Sequence, residues 1–313
     1  MFTCVGDKWT VCHYAIVSNF VVSQGSILKF WLKTKFLEEN RCENMFCHLY
    51  AKWTMCTVDN MLIRLVHKWT IRQCDFMHFV KCATKRMKTM SATIISFVSS
   101  KGGPGKSTLT THTAIILAEG GAKVAVMDAD PSGRMTRISQ NADNGLGKYF
   151  TVFPNVTAEN LVQQVQIINN DFDFILIDPE GVLSDLIVQI AKIAHIVISP
   201  MKLGQGDIEE STKTAAVINQ VAKDTGRDIN LYFVLNDVST TRSGLDAHWL
   251  EVLRKSNFKT FQTIIYTRVA YKETTDLGVS LLELSPKRVK AHSEITRLVE
   301  EVFAAIKSHY EEK

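Results

Sequence analysis

Between positions 99 and 108 the chain reads Ser-Ser-Lys-Gly-Gly-Pro-Gly-Lys-Ser-Thr, placing Gly102, Gly103 and Gly105 between Lys101 and Lys106 and two hydroxyls, Ser107 and Thr108, after them. Glycines let consecutive backbone N–H groups curl around phosphate oxygens at a helix N-terminus. A lysine at the end of such a run reaches the β- and γ-phosphates, and the next hydroxyl can ligate Mg²⁺. Carboxylates recur at two later places. Asp128 and Asp130 sit in Val126-Met127-Asp128-Ala129-Asp130-Pro131-Ser132-Gly133, and Asp178 closes the run Phe172-Asp173-Phe174-Ile175-Leu176-Ile177-Asp178. A carboxylate emerging at the carboxyl end of a buried strand, beside a phosphate loop, is placed to hold the metal of a nucleotide. The chemistry implied is the holding of a nucleotide's phosphates together with Mg²⁺.

The elements that would position these residues alternate. Residues 93–99 are an apolar run, 106–119 read as a helix ended by Gly120-Gly121, and 124–128 as a second buried strand. Further strands are expected at 174–178, 196–200 and 231–236, with helical stretches between them, among them 207–223. Such alternation predicts an α/β fold: a mostly parallel, twisted sheet with helices on both faces.

The ordinary phosphate-loop spacing would want Gly where Ser100 stands. The loop instead has the deviant form Lys-Gly-Gly-x-Gly-Lys-Ser/Thr, and it resembles the ParA/MinD group of P-loop NTPases. Together with the later motifs the resemblance covers residues 91–308. It implies that Lys101 is the signature lysine, which crosses the interface of an ATP-sandwiched homodimer to touch the partner's nucleotide, the arginine-finger device. The Asp128–Ser132 segment is similar to the family's Asp-x-Asp-Pro-Gln, with Ser132 replacing Gln. By that resemblance Asp130 positions the attacking water and Asp128 stands near the Mg²⁺ shell with Ser107 and Asp178; helix capping is the other use of such carboxylates. Where many ParA proteins continue Thr-Pro-Pro after the metal-side aspartate, this chain has Pro179-Glu180-Gly181. That is closer to small plasmid ParA proteins and to the partition-like ATPases of T-DNA transfer. Asn236 ends an apolar strand where relatives bind adenine, and it is equally suited to a turn.

Composition divides the chain. All seven cysteines precede residue 83, four of the five tryptophans lie there too, and all six prolines follow residue 100. Residues 1–89 carry 13 Lys and Arg against 6 Asp and Glu, so the net charge of +4 comes from them and says little of the remainder. Lys-Trp-Thr recurs at Lys8, Lys52 and Lys68 with unequal spacings of 44 and 16, unlike a solenoid of equal units. The cysteines form no CxxC pair, and neither helical nor strand periodicity persists. We read residues 1–89 as upstream sequence translated from a start codon placed too early, with Met87 or Met90 the true start. The rival reading is an N-terminal regulatory domain, as larger ParA proteins carry a helix-turn-helix there, though the sequence shows no such motif. Residues 90–313 are then the ATPase domain.

A nitrogenase-like iron–sulfur cluster is excluded from that domain because no cysteine follows Cys82. Ile295, Leu298, Val299, Val302, Phe303 and Ile306 make a helical stripe, but Glu294, Glu300 and Glu301 share the helix. An acidic face is repelled by anionic lipid, so a packed terminal helix is expected and no membrane partner. Arg268, Lys272, Lys287, Arg288 and Lys290 resemble the C-terminal region where ParA dimers gather cations against phosphates, which makes DNA the expected partner of this surface; the alternative is a solvated charged face. The resemblance implies a cytoplasmic, nucleoid-associated partition ATPase, weak by itself, that binds non-specific DNA as an ATP dimer and is reset by a ParB-like protein. A conjugation or T-DNA-transfer accessory ATPase is the alternative. A metabolic ligase or amidase on the same fold would need an added substrate domain, and none is visible.

Overall fold

The computed structural model describes residues 91–140, 145–241, 243–284 and 288–311. The expectations for residues 1–89, including the repeated tripeptide and the boundary at residue 90, lie outside the described residues. The order is β1 (Thr93–Phe97), α1 (Lys106–Glu119), β2 (Val124–Ala129), α2 (Arg134–Gln140), a 3₁₀ turn at Leu146–Lys148, β3 (Thr151–Phe153), α3 (Leu161–Ile168), β4 (Phe174–Pro179), α4 (Asp185–Ile193), β5 (Ile196–Met201) and α5 (Gln205–Thr225). Then follow β6 (Leu231–Val238), α6 (Gly244–Lys255), β7 (Thr260–Tyr266), α7 (Val269–Leu277), α8 (Leu281–Leu284) and α9 (Val289–Glu311).

The strands form one sheet of seven in the order β3-β2-β4-β1-β5-β6-β7, with every neighbouring pair parallel. Helices cover both faces, which is why β1, β2, β4 and β5 are buried at every position and read as unbroken apolar runs. Ile95 and Phe97 enter the core under α1 and α9, whereas Ile94 and Val98 enter the one under α3 and α4. The expected strands and the helix 207–223 are present; β1 is two residues shorter than the run 93–99, and the others are slightly longer. Two edge strands escaped the reading. β3 is three residues long with none of them buried, too short for a periodicity, and β7 alternates buried Phe261, Thr263 and Ile265 with more exposed neighbours.

The terminal helix packs as expected. Ile295, Leu298, Val299, Val302, Phe303 and Ile306 are all buried, and Phe303 tilts against Phe174 with ring centroids 5.4 Å apart. Each such side chain contributes about 1.5–3 kcal/mol by leaving water. Its acids are not the lipid-repelling face read from the sequence, because two of them turn inward. Glu301 accepts hydrogen bonds from the backbone N–H groups of Gln262 and Thr263 at 2.6 and 2.9 Å, covering part of the edge of β7. Glu294 is buried and pairs with Arg268.

Candidate functional site

The phosphate loop joins β1, in the middle of the sheet, to α1. β1 lies between β4 and β5, so the loop opens into the crevice where strand order reverses, the place at which open α/β sheets bind ligands. Gly103 (φ +90°) and Gly105 (φ +103°) hold left-handed conformations that a side chain would strain, and Gly105 starts the helix. No acidic residue occupies the first turn of α1, so its positive end is left for an anion.

Lys106 is buried, and its ammonium donates to Ser99 Oγ at 3.2 Å and to the Lys101 carbonyl at 3.3 Å. Burial lowers its pKa, while the carboxylates of Asp178, Asp130 and Glu180 pull it back up. β2 and β4 pair in a register that sets Asp128 beside Asp178, so the two carboxylates emerge together at the carboxyl ends of adjacent strands. Asp178 is wholly buried. Desolvation pushes its carboxyl up to about 7 against a hydrogen bond from Ser107 and the charge of Lys106. Asp128 Oδ2 accepts from the Thr136 N–H at 2.7 Å and from its hydroxyl at 2.6 Å.

Among the described residues, Asp128 Oδ1 and Asp178 Oδ2 are buried without a hydrogen-bond partner. Orphaned carboxylate oxygens beside a serine hydroxyl are the hard donors Mg²⁺ takes when phosphates complete its shell, so the residues fit that ion. Asp130 is more exposed; its Oδ1 accepts from the Ser132 N–H at 2.8 Å in a local turn, which leaves its other oxygen for water. Gly102, exposed in the loop, and Thr108, in the first turn of α1, lie where the sequence placed them.

Two expected residues have contacts the sequence did not disclose. Lys101 Nζ is 2.6 Å from Asp207 Oδ1, on the first turn of α5, so within one chain the lysine expected to act in trans is paired in cis. Asn236 is buried under the loop and donates through Nδ2 to the Pro104 carbonyl at 2.6 Å. A Cβ on Gly105 would stand 2.0 Å from that Nδ2, so this side chain braces the phosphate loop itself. Ser100, which replaces the usual glycine, donates to Glu210 Oε2 at 2.6 Å and to the Glu210 carbonyl at 3.0 Å, while its N–H donates to Thr214 Oγ1. The substitution fastens the loop to α5. A Ser or Thr at the glycine position, followed by a helix carrying Glu and Thr four residues apart, was the available signal.

The basic residues divide. Lys272 and Lys290 are exposed on α7 and α9. Arg268 instead grips Glu294 through Nε, at 3.0 Å to both oxygens, and through a second, shorter hydrogen bond. Arg288 is 2.8 Å from Glu273, and Lys287 lies outside the described residues. From the pair inward runs a buried polar chain: Tyr271 donates to Glu294 at 3.0 Å, and His112 of α1 lies 3.3 Å from the Tyr271 carbonyl and 3.2 Å from Thr274 Oγ1. Burial lowers His112 to about 4, so it is neutral there.

Comparison with known proteins agrees with this geometry. The family model for the CobQ/CobB/MinD/ParA nucleotide binding domain matches residues 95–281. Over 219 residues the chain is 24% identical to the maintenance of carboxysome distribution protein A of Halothiobacillus neapolitanus, covering 69% of this chain and 99% of that protein. It is 25% identical over 200 residues to the ParA protein of Rhizobium radiobacter, covering 62% of this chain and 87% of that one. An ATP complex of Cyanothece McdA shares the fold with a TM-score of 0.54 at 16% identity, over 68% of this chain and 96% of that one.

Proposed function

Because the chain belongs to the CobQ/CobB/MinD/ParA nucleotide-binding family, we propose that it is an ATP-driven partition switch: it dimerises on ATP, binds DNA without sequence preference in that state, and is reset by hydrolysis. The observation that carries this reading is the pair of lysines on one loop. Lys106 is buried at the loop, while the Lys101 side chain is 40% exposed and paired with Asp207. A nucleotide site closed within one chain would need Lys106 alone. A second, outward lysine is suited to a nucleotide held by another copy.

In this reading the loop N–H groups of Gly102, Gly103 and Gly105 and the ammonium of Lys106 hold the phosphates. Ser107, Asp128 and Asp178 hold Mg²⁺, which when bound offsets charge on the β- and γ-phosphates. Asp130 orients the attacking water, and Lys101 leaves Asp207 to reach the partner's nucleotide. Turnover by one chain is weak because the stabilising cation arrives only in trans. Lys272 and Lys290, with part of Arg288, give each subunit a small cationic strip, and dimerisation presents two strips to one duplex. Affinity then multiplies through counterion release. Relatives named ParA and for carboxysome distribution support the placing of a cargo as the task. In this reading a ParB-like partner triggers hydrolysis and the nucleoid in the cytoplasm is the track.

Fluorescence anisotropy on a random-sequence duplex over a salt series tests the switch. DNA binding should appear with ATP, weaken with ADP, and show the steeper salt slope in the ATP state. Equal affinity with both nucleotides at every salt overturns it.

A further inference from the structure

Pro179-Glu180-Gly181 follows the metal-side carboxylate Asp178 and leads through the exposed Val182 and Leu183 into α4. Gly181 rests on the phosphate loop. A Cβ built on it would stand 2.5 Å from the Lys101 carbonyl oxygen, 2.6 Å from the Gly102 nitrogen and 2.6 Å from the Lys101 carbonyl carbon. Near-equal distances to the O, N and C of one peptide place Gly181 over the face of that peptide. Its φ lies outside the left-handed region, so contact and not backbone conformation is what demands glycine.

The same carbonyl oxygen is held at its edge as well, accepting from Ser99 Oγ at 2.6 Å and from Lys106 Nζ at 3.3 Å. The Lys101–Gly102 peptide is therefore clamped by two donors at its oxygen and by the Gly181 backbone against its face. That peptide sets the direction in which the Lys101 side chain leaves the loop.

We propose that Gly181 is a positioning residue for Lys101: the segment after Asp178 seats the Lys101–Gly102 peptide so that the lysine can reach a partner's nucleotide. The proposal rests on the trans role of Lys101. A substitution that adds a Cβ must tilt or displace the peptide, since backbone atoms cannot swing aside as a flexible side chain would.

The test is steady-state ATP turnover of the full chain at protein concentrations that saturate the dimer. Gly181→Ala should lower kcat about tenfold or more and leave KM for ATP within about threefold, because the phosphate contacts through Lys106 persist. In a double-mutant cycle, Gly181→Ala should add no further loss to Lys101→Ala, as both remove one interaction. Ser99→Ala, which adds no atom, should give a smaller loss of the same kind, also absent in the Lys101→Ala background. If Lys101→Ala turns over at the wild-type rate, the trans reading fails and the positioning role with it. If Lys101→Ala slows turnover while Gly181→Ala does not, or the two losses multiply, the positioning role alone is overturned. Should Gly181→Ala not fold, the Ser99→Ala cycle decides: a kcat loss confined to the Lys101 background supports the role, and wild-type turnover or a multiplying loss overturns it.

Discussion

The phosphate end of the molecule and the basic end near α7 and α9 treat charge in opposite ways. Around the loop, Asp128 and Asp178 are buried with an oxygen each lacking a hydrogen-bond partner, and Asp178 is pushed far above the usual carboxylate range. At the other end the most buried cation, Arg268, is matched to Glu294 by several hydrogen bonds, and Glu294 is further satisfied by Tyr271. Burying unsatisfied carboxylates costs stability, so a fold keeps them only where something else completes them. A matched buried pair completes itself and speaks for architecture. The difference separates residues that await a ligand from residues that hold helices together, although both are charged and both stand in the expected places.

The sharpest way to break this comparison is at the phosphate end. Lys106→Ala should abolish ATP binding, a loss of at least about a hundredfold, since it removes the ammonium that holds the phosphates. Binding of a fluorescent ATP analogue checks it, and retained affinity would deny the loop its role. Asp130→Ala should keep ATP and the dimer but reduce turnover by about a hundredfold or more. Gel filtration with ATP and a phosphate-release assay separate the two, and a monomeric, non-binding protein would make Asp130 structural.

At the basic end Arg268→Ala should act on stability. Removing the partly buried guanidinium leaves Glu294 unpaired and should cost about 2 kcal/mol, below the range for fully buried pairs because Arg268 keeps some exposure. A urea titration reads it. An unchanged midpoint with weakened DNA binding would return Arg268 to the DNA contact. Lys272→Ala with Lys290→Ala should instead leave the midpoint within about 0.5 kcal/mol, as both side chains are exposed, and weaken binding to every DNA sequence alike.

Acid probes the buried chain between the two ends. His112 is held at about 4 against an ordinary 6.5, so the unfolded chain takes the proton first as pH falls. Its contribution is complete above pH 6.5 and is lost between 6.5 and 4, amounting to at most about 3 kcal/mol. Urea midpoints at pH 7 and 4.5 should therefore fall further apart in the wild type than in His112→Asn. An equal pH dependence would mean that the imidazole takes its proton within the fold.

Much of this was legible in the sequence because it depends on neighbours along the chain. The glycines of the loop, the helix ended by Gly120 and the apolar runs closed by Asp128 and Asp178 are local patterns, and the structure places them as read. What stayed hidden depends on atoms brought together from afar. That Gly181 covers the Lys101 peptide, that Asp207 holds Lys101, and that Arg268 faces Glu294 are facts of packing, since a basic residue beside a helix reads alike whether it meets DNA or an acid. β7 escaped for another reason. Its alternation, buried at Phe261, Thr263 and Ile265, differs from the continuous apolar runs of the central strands.

Ser100 bears on how such a loop can vary among related chains. Its hydroxyl and N–H are tied to Glu210 and Thr214, so the residue at 100 and the acid at 210 form one unit although they lie far apart in the chain. A glycine at 100 would release Glu210 from this duty, and a hydrophobic residue at 210 would leave the Ser100 hydroxyl only the backbone carbonyl of 210. In an alignment of homologues the two columns should covary: Ser or Thr at the first should accompany Glu or Gln at the second, and Gly should free it to drift.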